Sequence, residues 1–275
     1  MKSLESSSFD FPKPRKEVEA MTAYSAPLEG RREMLRLDFN ENTIGPSPSV
    51  IQAIKEIPPN HISIYPEYRD LKEAIANNLN DRNPTCKIKP LQVGIFNGVD
   101  AAIHAIFHSY GDSEDQLLTT SPTFGYYNPC ALMQGMKIIA LPYKKDTFQF
   151  PYQEIYAELE KKATKLLLIC NPNNPTGTRI SAQDIINLAQ ISPRTLVVVD
   201  ELYEAFTGDS ALPFVDFNQI PNLLILRSLS KTAGLAGLRI GYAIGNSEVV
   251  NRISRVTGPY DVNIVAVTAA FAALK

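Results

Sequence analysis

The sequence lacks the features that identify several classes of protein. Its 275 residues include three cysteines, Cys86, Cys130 and Cys170, and since none lies in a CxxC pair we expect no disulfide framework. The 27 basic and 29 acidic residues give a net charge of −2, which argues against a nucleic-acid binder held by charge alone. No run of 18 apolar residues occurs, and the N-terminus has no apolar core of signal-peptide length. We therefore expect a cytoplasmic protein that acts on small molecules.

Nucleotide-binding and metal-binding motifs are also missing. No strand is followed by GxGxxG, and there is no GxxxxGK[ST], so the dinucleotide fingerprint and the Walker P-loop are both absent. His104 and His108 have the i,i+4 spacing of a zinc helix, but no glutamate base and no third ligand accompany them. We expect no metal site and interpret the pair as part of a helix surface or core.

The composition is that of a globular chain, with 44% apolar and 20% charged residues. At about 150 residues per domain, the length allows two domains or one large one. Residues 1–33 are rich in Ser, Pro and charge, which indicates a mobile arm with a short helix over 16–24. We expect an arm and small-domain segment over 1–45 and a large domain over 46–275.

Beyond the arm, apolar runs alternate with helical patterns. Segments such as LLLI (166–169) and LVVV (196–199) are apolar on both faces, which predicts a buried, mostly parallel sheet covered by helices. The expected fold is a three-layer α/β/α domain. The predicted strands cover 94–96, 116–120, 137–141, 165–170, 195–200, 222–227 and 240–244. The predicted helices cover 68–79, 99–109, 124–133, 181–191 and 248–257.

In open α/β sheets, ligands bind beyond the carboxyl ends of the strands. The residues that follow the predicted strands are suited to binding: Gly98 and Asp100, then 121–123, 171–177, 200–203 and 228–231. We expect the functional site at this edge of the sheet.

Lys231 is the first candidate for chemistry. It ends an apolar strand beside Ser228 and Ser230, and Arg239 follows eight residues later. Burial and a nearby cation both lower the pKa of a lysine, which makes the amine available to form an imine with a carbonyl. Hydroxyl donors and a forked guanidinium also match phosphate oxygens. The alternative is a surface Lys and Arg beside a Ser-rich turn.

Asp200 is the second candidate, because it ends the fully apolar strand LVVV with a carboxylate. A buried charge needs a partner, which a protonated ring nitrogen of a cofactor would supply. Tyr203, three residues on, could reach a nearby oxygen. Asp200 could instead cap a following helix. Taken alone, the polar segment that contains Asn174 is typical of an ordinary turn.

Taken in order, these segments resemble the fold type I aminotransferases that use pyridoxal 5′-phosphate, and the histidinol-phosphate aminotransferase branch in particular. The resemblance covers about residues 35–275. It rests on NNPTG (173–177), DELY (200–203), SLSK (228–231) and Arg239, and upstream on LDFNEN (37–42), GPSP (45–48), YPE (65–67), NGVD (97–100) and SPTFG (121–125).

The resemblance implies a role for each matching residue. Lys231 would hold the cofactor as an imine and then move the substrate proton, while Asp200 would keep the ring nitrogen protonated. Asn174 and Tyr203 would bind the phenolic oxygen. The further implied cofactor contacts are ring stacking by Phe124, phosphate binding by Ser228, Ser230, Arg239, Gly98 and Val99, a contact from Asp100, and a phosphate contact from Tyr65 across a homodimer interface.

Three of these roles have simpler explanations. Phe124 could be plain core packing, Asp100 a helix cap and Tyr65 a turn aromatic. The chain also departs from the family pattern at Ala101, where a Glu is usual, and at Asp261, where relatives often have Asn.

The chain ends at Lys275, where family members continue into a small C-terminal domain that supplies the arginine for the substrate's carboxylate or phosphate. We expect that this domain is absent here. The leading hypothesis is transamination of histidinol phosphate with 2-oxoglutarate, in histidine biosynthesis, or of an aromatic amino acid. The alternatives are a truncated cofactor-binding domain without turnover and an enzyme similar to phosphothreonine decarboxylase.

Overall fold

A computed structural model describes residues 12–22 and 29–275 of the chain. Within these residues seven strands form one sheet. They are β1 (Val93–Phe96), β2 (Gln116–Ser121), β3 (Lys137–Pro142), β4 (Thr164–Cys170), β5 (Leu196–Asp200), β6 (Leu223–Ser228) and β7 (Gly241–Gly245). Each begins and ends within one residue of its predicted bounds.

The sheet is mixed but mostly parallel, as predicted. Its strand order is β1-β7-β6-β5-β4-β2-β3. β7 runs antiparallel to both of its neighbours, whereas β6, β5, β4, β2 and β3 form a parallel series. The carboxyl ends of the parallel strands therefore meet along one edge of the sheet.

Ten helices surround the sheet in the described ranges. They are α1 (Lys16–Glu19), α2 (Pro48–Lys55), α3 (Pro59–Ile62), α4 (Arg69–Arg82), α5 (Val99–Tyr110), α6 (Tyr127–Gln134), α7 (Tyr152–Glu160), α8 (Ala182–Ile191), α9 (Ser247–Ser254) and α10 (Ile264–Leu274). The helices predicted over 68–79, 99–109, 181–191 and 248–257 are present with small shifts at their ends.

Two predicted helices have different limits. The helix predicted over 124–133 begins at Tyr127, because the preceding segment is tied to a neighbouring loop by a 2.8 Å hydrogen bond from Thr123 Oγ1 to Asn173 Oδ1. The helix predicted over 16–24 ends at Glu19, and residues 23 and 24 lie outside the described residues. The rest of the predicted arm is likewise described only over 12–22 and from residue 29.

Three helices are not predicted by the sequence patterns, α2, α3 and α7. Each lies next to proline, which is typical of loops. Pro48 and Pro59 occupy the first turns of α2 and α3, where proline is tolerated because its missing N–H would have no helical partner. In α7 the apolar signal is short, with only Ile155 and Leu159 buried.

The core lies on both faces of the sheet. Side chains of a strand alternate between its faces, so in β5 Val197 and Val199 pack into one apolar cluster and Leu196 and Val198 into the other. Helices α4, α8 and α10 contribute to the first cluster, and α5, α6 and α9 to the second. This is the predicted three-layer α/β/α arrangement, with a sheet buried by helices on both sides.

A buried ion pair supports the sheet edge beside Asp200. Arg227 Nη2 lies 2.9 Å from Glu201 Oε2, and both side chains are almost fully buried. Glu201 Oε1 accepts a 2.8 Å hydrogen bond from the backbone N–H of Ala211. Because the carboxylate is satisfied on both oxygens, the charge is tolerated in the interior and the end of β5 is held in place.

No helix among the described residues combines the length and the apolar character that crossing a membrane requires.

Candidate active site

Many of the predicted site residues follow three neighbouring strand ends on one edge of the sheet. Cys170 at the end of β4 pairs with Asp200 at the end of β5. Asp200 in turn pairs with Leu226 of β6, and Ser228 ends that strand. The loops after β4, β5 and β6 thus begin side by side, as the predicted topology requires.

Asp200 is buried at this edge, with 3% of its surface exposed. Oδ2 accepts a hydrogen bond from the Tyr127 hydroxyl at 2.8 Å, and Oδ1 accepts one from the backbone N–H of Leu202 at 3.1 Å. Burial raises the pKa of Asp200 to about 6, although both hydrogen bonds oppose this shift. None of the ion pairs in residues 12–22 and 29–275 includes Asp200. A cationic ring nitrogen would supply the partner that this carboxylate lacks.

The capping alternative for Asp200 does not describe this geometry. The carboxylate accepts a hydrogen bond from the second residue after it, but the helical turn that follows is a short one at Glu204–Phe206. Its N-cap is Tyr203, without a side-chain cap bond.

Tyr203 and Asn174 line one cavity of about 260 Å³. The Tyr203 hydroxyl accepts a hydrogen bond from Asn40 Nδ2 at 3.1 Å. Asn174 is anchored through its backbone N–H, which lies 3.4 Å from Cys170 Sγ, and its side chain makes no further bond among those described. Two polar groups from the loops after β4 and β5 therefore face the same space.

Lys231 is half-buried in the loop after β6. Nζ donates a 2.6 Å hydrogen bond to the backbone carbonyl of Phe39 and lies 5.8 Å from the centre of the Tyr203 ring. Burial lowers the pKa of Lys231, the nearby Arg239 cation adds to this effect, and the carboxylates around the site oppose it. Burial and the nearby cation thus both lower the pKa of Lys231, as predicted from the sequence. A lowered pKa makes the free amine more available for reaction with a carbonyl.

A second group of predicted residues lies at the N-terminus of α5. Gly98 is the N-cap of this helix and has φ +84°, a conformation that favours glycine. A Cβ atom at Gly98 would lie 2.5 Å from Arg239 Nη2, so the guanidinium is in contact with the glycine backbone. A Cβ at Gly241 would lie 2.7 Å from the backbone nitrogen of Val99. Only glycine at these positions lets Arg239 and the start of β7 approach the helix terminus this closely.

The two serines border the same place. Ser228 pairs with Gly241 in the sheet, and its Oγ lies 2.8 Å from Ser230 Oγ and 3.2 Å from the carbonyl of Ile240. Because Gly241 lies against the backbone of Val99 at the start of α5, both hydroxyls are close to the N-terminus of this helix. Hydroxyl donors, a guanidinium and the N-terminus of a twelve-residue helix are the groups that bind phosphate in proteins.

Asp100 contacts Arg239 directly. Its Oδ2 lies 2.7 Å from Arg239 Nη2, and both side chains are about half exposed. The helix-cap alternative for Asp100 is not supported, since the N-cap of α5 is Gly98 and no side chain caps it.

Phe124 lies close to Asp200 through Tyr127. The rings of Phe124 and Tyr127 meet edge to face, with centroids 5.5 Å apart. Phe124 is partly buried against the apolar cluster of α5 and α6, so the core-packing alternative contributes as well.

Tyr65 is the one predicted residue that the structure does not bring into this group. Its ring stacks on Tyr260 with centroids 4.0 Å apart, and 69% of its surface is exposed. Tyr65 is accessible to a second subunit, and its contact with the partner's phosphate stays a prediction.

The histidine pair lies on α5, with ring centroids 5.3 Å apart. In the part of the chain that the structure describes, no three His, Cys, Asp or Glu side chains group as metal ligands would.

Three contacts of the site are not predicted by the sequence patterns. Tyr127 binds Asp200, Asn40 binds Tyr203, and the carbonyl of Phe39 binds Lys231. The segment 37–42 belongs to the family resemblance, but the motif alone gives no role to its residues. Nothing in the local sequence marks Tyr127, because its partner lies 73 positions away.

Comparison with known proteins identifies the family. The sequence profile of the family "Aminotransferase class I and II" matches residues 32–275. The chain belongs to this family. The membership confirms that the protein is an aminotransferase with the predicted aspartate aminotransferase-like fold, and it indicates the predicted cofactor class, pyridoxal phosphate.

Individual relatives agree with this membership. The chain is 32% identical to a histidinol-phosphate aminotransferase of Caldanaerobacter subterraneus subsp. tengcongensis over 95% of its own length and 72% of the relative. It is 33% identical to a dihydroxyacetone phosphate transaminase of Campylobacter jejuni, over 94% of its own length and 71% of the relative. Among solved structures, the histidinol-phosphate aminotransferase of Sinorhizobium meliloti in complex with pyridoxal-5′-phosphate matches with a TM-score of 0.84 and 26% identity, over 96% and 71% of the two chains.

Proposed function

We propose that this chain binds pyridoxal 5′-phosphate through Lys231 and supports transamination at the carboxyl edge of its sheet. The observation that carries the proposal is the placement of the Lys231 amine beside Tyr203, on the edge where the buried carboxylate of Asp200 lacks a cationic partner in the described chain. When bound, the cofactor supplies an electron sink that stabilises negative charge on the substrate carbon.

The residues around the cofactor ring have separate proposed roles. Asp200 would hold a proton on the ring nitrogen, because its charge is compensated only when a cation faces it. Tyr203 and Asn174 line the same cavity and would donate to the cofactor's phenolic oxygen. Phe124 would pack against the ring. Once the substrate amine has displaced it from the cofactor, Lys231, whose pKa is lowered by burial, would accept the proton from the substrate α-carbon and return it to C4′ of the cofactor.

The phosphate would be held by the cluster at the α5 terminus. Arg239, Ser228 and Ser230 would provide side-chain donors, and Gly98 and Val99 would provide backbone N–H groups. Asp100 acts on the phosphate indirectly, through its ion pair with Arg239. The cluster fits an anion rather than a neutral group, since the guanidinium, the two hydroxyls and the helix N-terminus are all donors, and the one carboxylate present, Asp100, is paired with Arg239.

The proposed amino donor is histidinol phosphate, with 2-oxoglutarate as acceptor, which places the reaction in histidine biosynthesis. The name of the relative from Caldanaerobacter supports this choice. The similarly related transaminase of Campylobacter jejuni is named for a different phosphorylated compound, so dihydroxyacetone phosphate is a second candidate acceptor. Three competing hypotheses are an aromatic amino acid as donor, a phosphothreonine decarboxylase-like reaction, and cofactor binding without turnover.

Borohydride reduction tests the covalent link. Apo protein incubated with pyridoxal 5′-phosphate and reduced should carry the cofactor on the peptide that contains Lys231, as measured by mass spectrometry. Lys231→Ala should lose this label, while Lys165→Ala, which removes a partly exposed lysine paired with Asp115, should keep it. Label on another lysine in both variants, or none in the wild type, would contradict the proposal.

A panel of amines then tests the donor. The visible absorbance band of the bound cofactor should be lost on addition of histidinol phosphate and not of histidinol, phenylalanine or phosphothreonine. Equal loss with phenylalanine would support the aromatic donor instead, and release of CO₂ from phosphothreonine would support the decarboxylase. A band that no amine alters, in a chain that binds the cofactor, would support binding without turnover.

We further propose a cytoplasmic homodimer in which Tyr65 reaches the phosphate of the partner subunit. Support comes from the exposed, stacked rings of Tyr65 and Tyr260 and from the exposed apolar side chains of Ile62 and Ile64 nearby in sequence. Sedimentation equilibrium would test the dimer, since a monomer at micromolar concentration would exclude a shared site.

We also propose a division of the chain into an arm and small-domain segment over 1–45 and a large domain over 46–275.

A further inference from the structure

Tyr127 is a buried residue that none of the proposed roles uses. It occupies the first position of α6, is fully buried, and donates its hydroxyl proton to Asp200 Oδ2 at 2.8 Å. Its ring meets the edge of Phe124. The side chain therefore connects the residue predicted to stack on the cofactor ring with the residue predicted to face the ring nitrogen.

The hydrogen bonds to Asp200 fix the plane of its carboxylate. Tyr127 holds Oδ2 from the helical layer, and the N–H of Leu202 holds Oδ1 from the loop after β5. With one donor on each oxygen, from two different elements, rotation of the carboxyl group would break at least one bond. Each oxygen keeps one further lone-pair position, and these two bonds fix its direction.

The tyrosine is also suited to remain a donor at any working pH. Burial and the neighbouring Asp200 carboxylate both raise the pKa of Tyr127 well above its usual range. The hydroxyl therefore stays protonated, and a protonated hydroxyl next to the carboxylate favours the ionised form of Asp200.

A purely structural role would be the simpler interpretation, because buried tyrosine hydroxyls usually find some acceptor or donor. Tyr143 is an example in this chain, since it is buried and its hydroxyl accepts a 3.2 Å bond from Thr120 Oγ1. Tyr127 differs in that its acceptor is the carboxylate whose charge the proposed reaction requires.

We propose that Tyr127 is a positioning residue, whose hydroxyl keeps Asp200 ionised and oriented toward the ring nitrogen of the cofactor. This inference rests on the proposed function. It assigns to Tyr127 an effect on the cofactor that can be measured without turnover.

The test uses the full chain loaded with pyridoxal 5′-phosphate labelled with ¹⁵N in the ring. In the wild type the nitrogen resonance should have the position of a protonated ring. In Tyr127→Phe, which keeps the ring and its packing, the resonance should move toward that of neutral pyridine, and the Kd for the cofactor should rise about tenfold. Tyr143→Phe, the matched loss of a buried hydroxyl, should leave the resonance in place and the Kd within about twofold.

A double variant separates positioning from packing. In an Asp200→Asn background, Tyr127→Phe should raise the Kd by less than about twofold, because the charge that it supports is gone. A tenfold rise in both backgrounds, or an unchanged resonance in Tyr127→Phe, would overturn the inference while leaving the proposed function intact. A wild-type chain that binds no cofactor would overturn the proposed function itself.

A further measurement does not depend on the folding of Tyr127→Phe. The buried Tyr127 hydroxyl proton should give a downfield resonance in wild-type protein with ¹³C-labelled tyrosine. In Asp200→Asn this resonance should move upfield, because a neutral amide is a weaker acceptor than a carboxylate. An unchanged resonance would contradict the proposed coupling.

Discussion

Arg239 Nη2 and Asp100 Oδ2 are 2.7 Å apart, although the residues are separated by 139 positions in the sequence. About half of each side chain is exposed, and a pair in this environment contributes at most about 1 kcal/mol to stability. Arg239 itself has a left-handed backbone conformation, with φ 56°, which is unfavourable for a residue other than glycine. The pair is better explained by the position it gives the guanidinium, in contact with Gly98, than by its contribution to folding.

The first prediction concerns the phosphate. Arg239→Ala should raise the Kd for pyridoxal 5′-phosphate about 10- to 100-fold, because it removes one charged hydrogen-bonding partner worth about 1.5–3 kcal/mol. The Kd for pyridoxal, which has no phosphate, should not change. Titration of the apo protein, followed by absorbance, measures both constants.

Arg179→Ala is the matched control, since Arg179 is a half-exposed arginine that pairs with Asp209 and not with Asp100. It should leave both constants unchanged. If Arg239→Ala weakened pyridoxal and pyridoxal 5′-phosphate equally, the loss would lie elsewhere in the site and the phosphate assignment would be wrong.

The second prediction uses two glycines that have positive φ. The φ angles are +84° at Gly98 and +75° at Gly208, so alanine at either position should lower the free energy of unfolding, by about 1–3 kcal/mol. Only at Gly98 does the added Cβ meet Arg239, and a flexible guanidinium can move away. Gly98→Ala should therefore raise the Kd for pyridoxal 5′-phosphate, whereas Gly208→Ala should not.

Thermal unfolding of both apo variants and cofactor titration provide the comparison. Equal Kd values for the two variants, at a similar loss of stability, would show that the contact between Gly98 and Arg239 has no part in cofactor binding.

Much of this arrangement is predictable from the sequence. The predicted strand bounds agree with the structure to within one residue. Runs such as that of β5 are apolar on both faces, and this pattern is typical of a strand in a sheet that helices cover on both sides. The clustering of Asp200, Tyr203 and Lys231 follows from parallel topology, since it requires only that each residue lies just after a strand.

The contacts that orient these groups are not predictable in the same way. Asn40 reaches Tyr203 across 163 positions and Tyr127 reaches Asp200 across 73, and neither interaction leaves a periodic pattern. Such hydrogen bonds depend on how the loops and the helical layer pack against the sheet edge, which hydrophobic periodicity does not encode. The role of Asp100 is open from the sequence for the same reason, because its partner is set by tertiary structure.

The last prediction concerns the stability of the apo protein and its dependence on pH. The folded state holds the pKa of Asp200 at about 6, above the ordinary value of 3.8 for a free aspartate. The folded apo protein therefore binds this proton more tightly than the unfolded chain. The stability that the site contributes is present below about pH 4 and is lost as the pH rises through 6.

Asp200→Asn removes the titrating carboxyl group, so the variant should not lose this stability as the pH rises. Relative to wild type, the variant's free energy of unfolding without cofactor should increase between pH 4 and pH 7.5, by up to about 3 kcal/mol from a shift of about two pKa units. Thermal or urea unfolding at a series of pH values measures the difference. Asp81→Asn, at an exposed position on α4, serves as the control and should show no such trend.

Saturation with pyridoxal 5′-phosphate should change the difference between the two proteins in favour of wild type. A cationic ring nitrogen pairs with the aspartate but not with the asparagine, so cofactor binding should stabilise wild type more than Asp200→Asn at pH 7.5. If the difference between the apo proteins were constant across pH, Asp200 would not be the strained carboxylate that its burial indicates. If the cofactor stabilised both proteins equally, the carboxylate would not be the partner of the ring nitrogen.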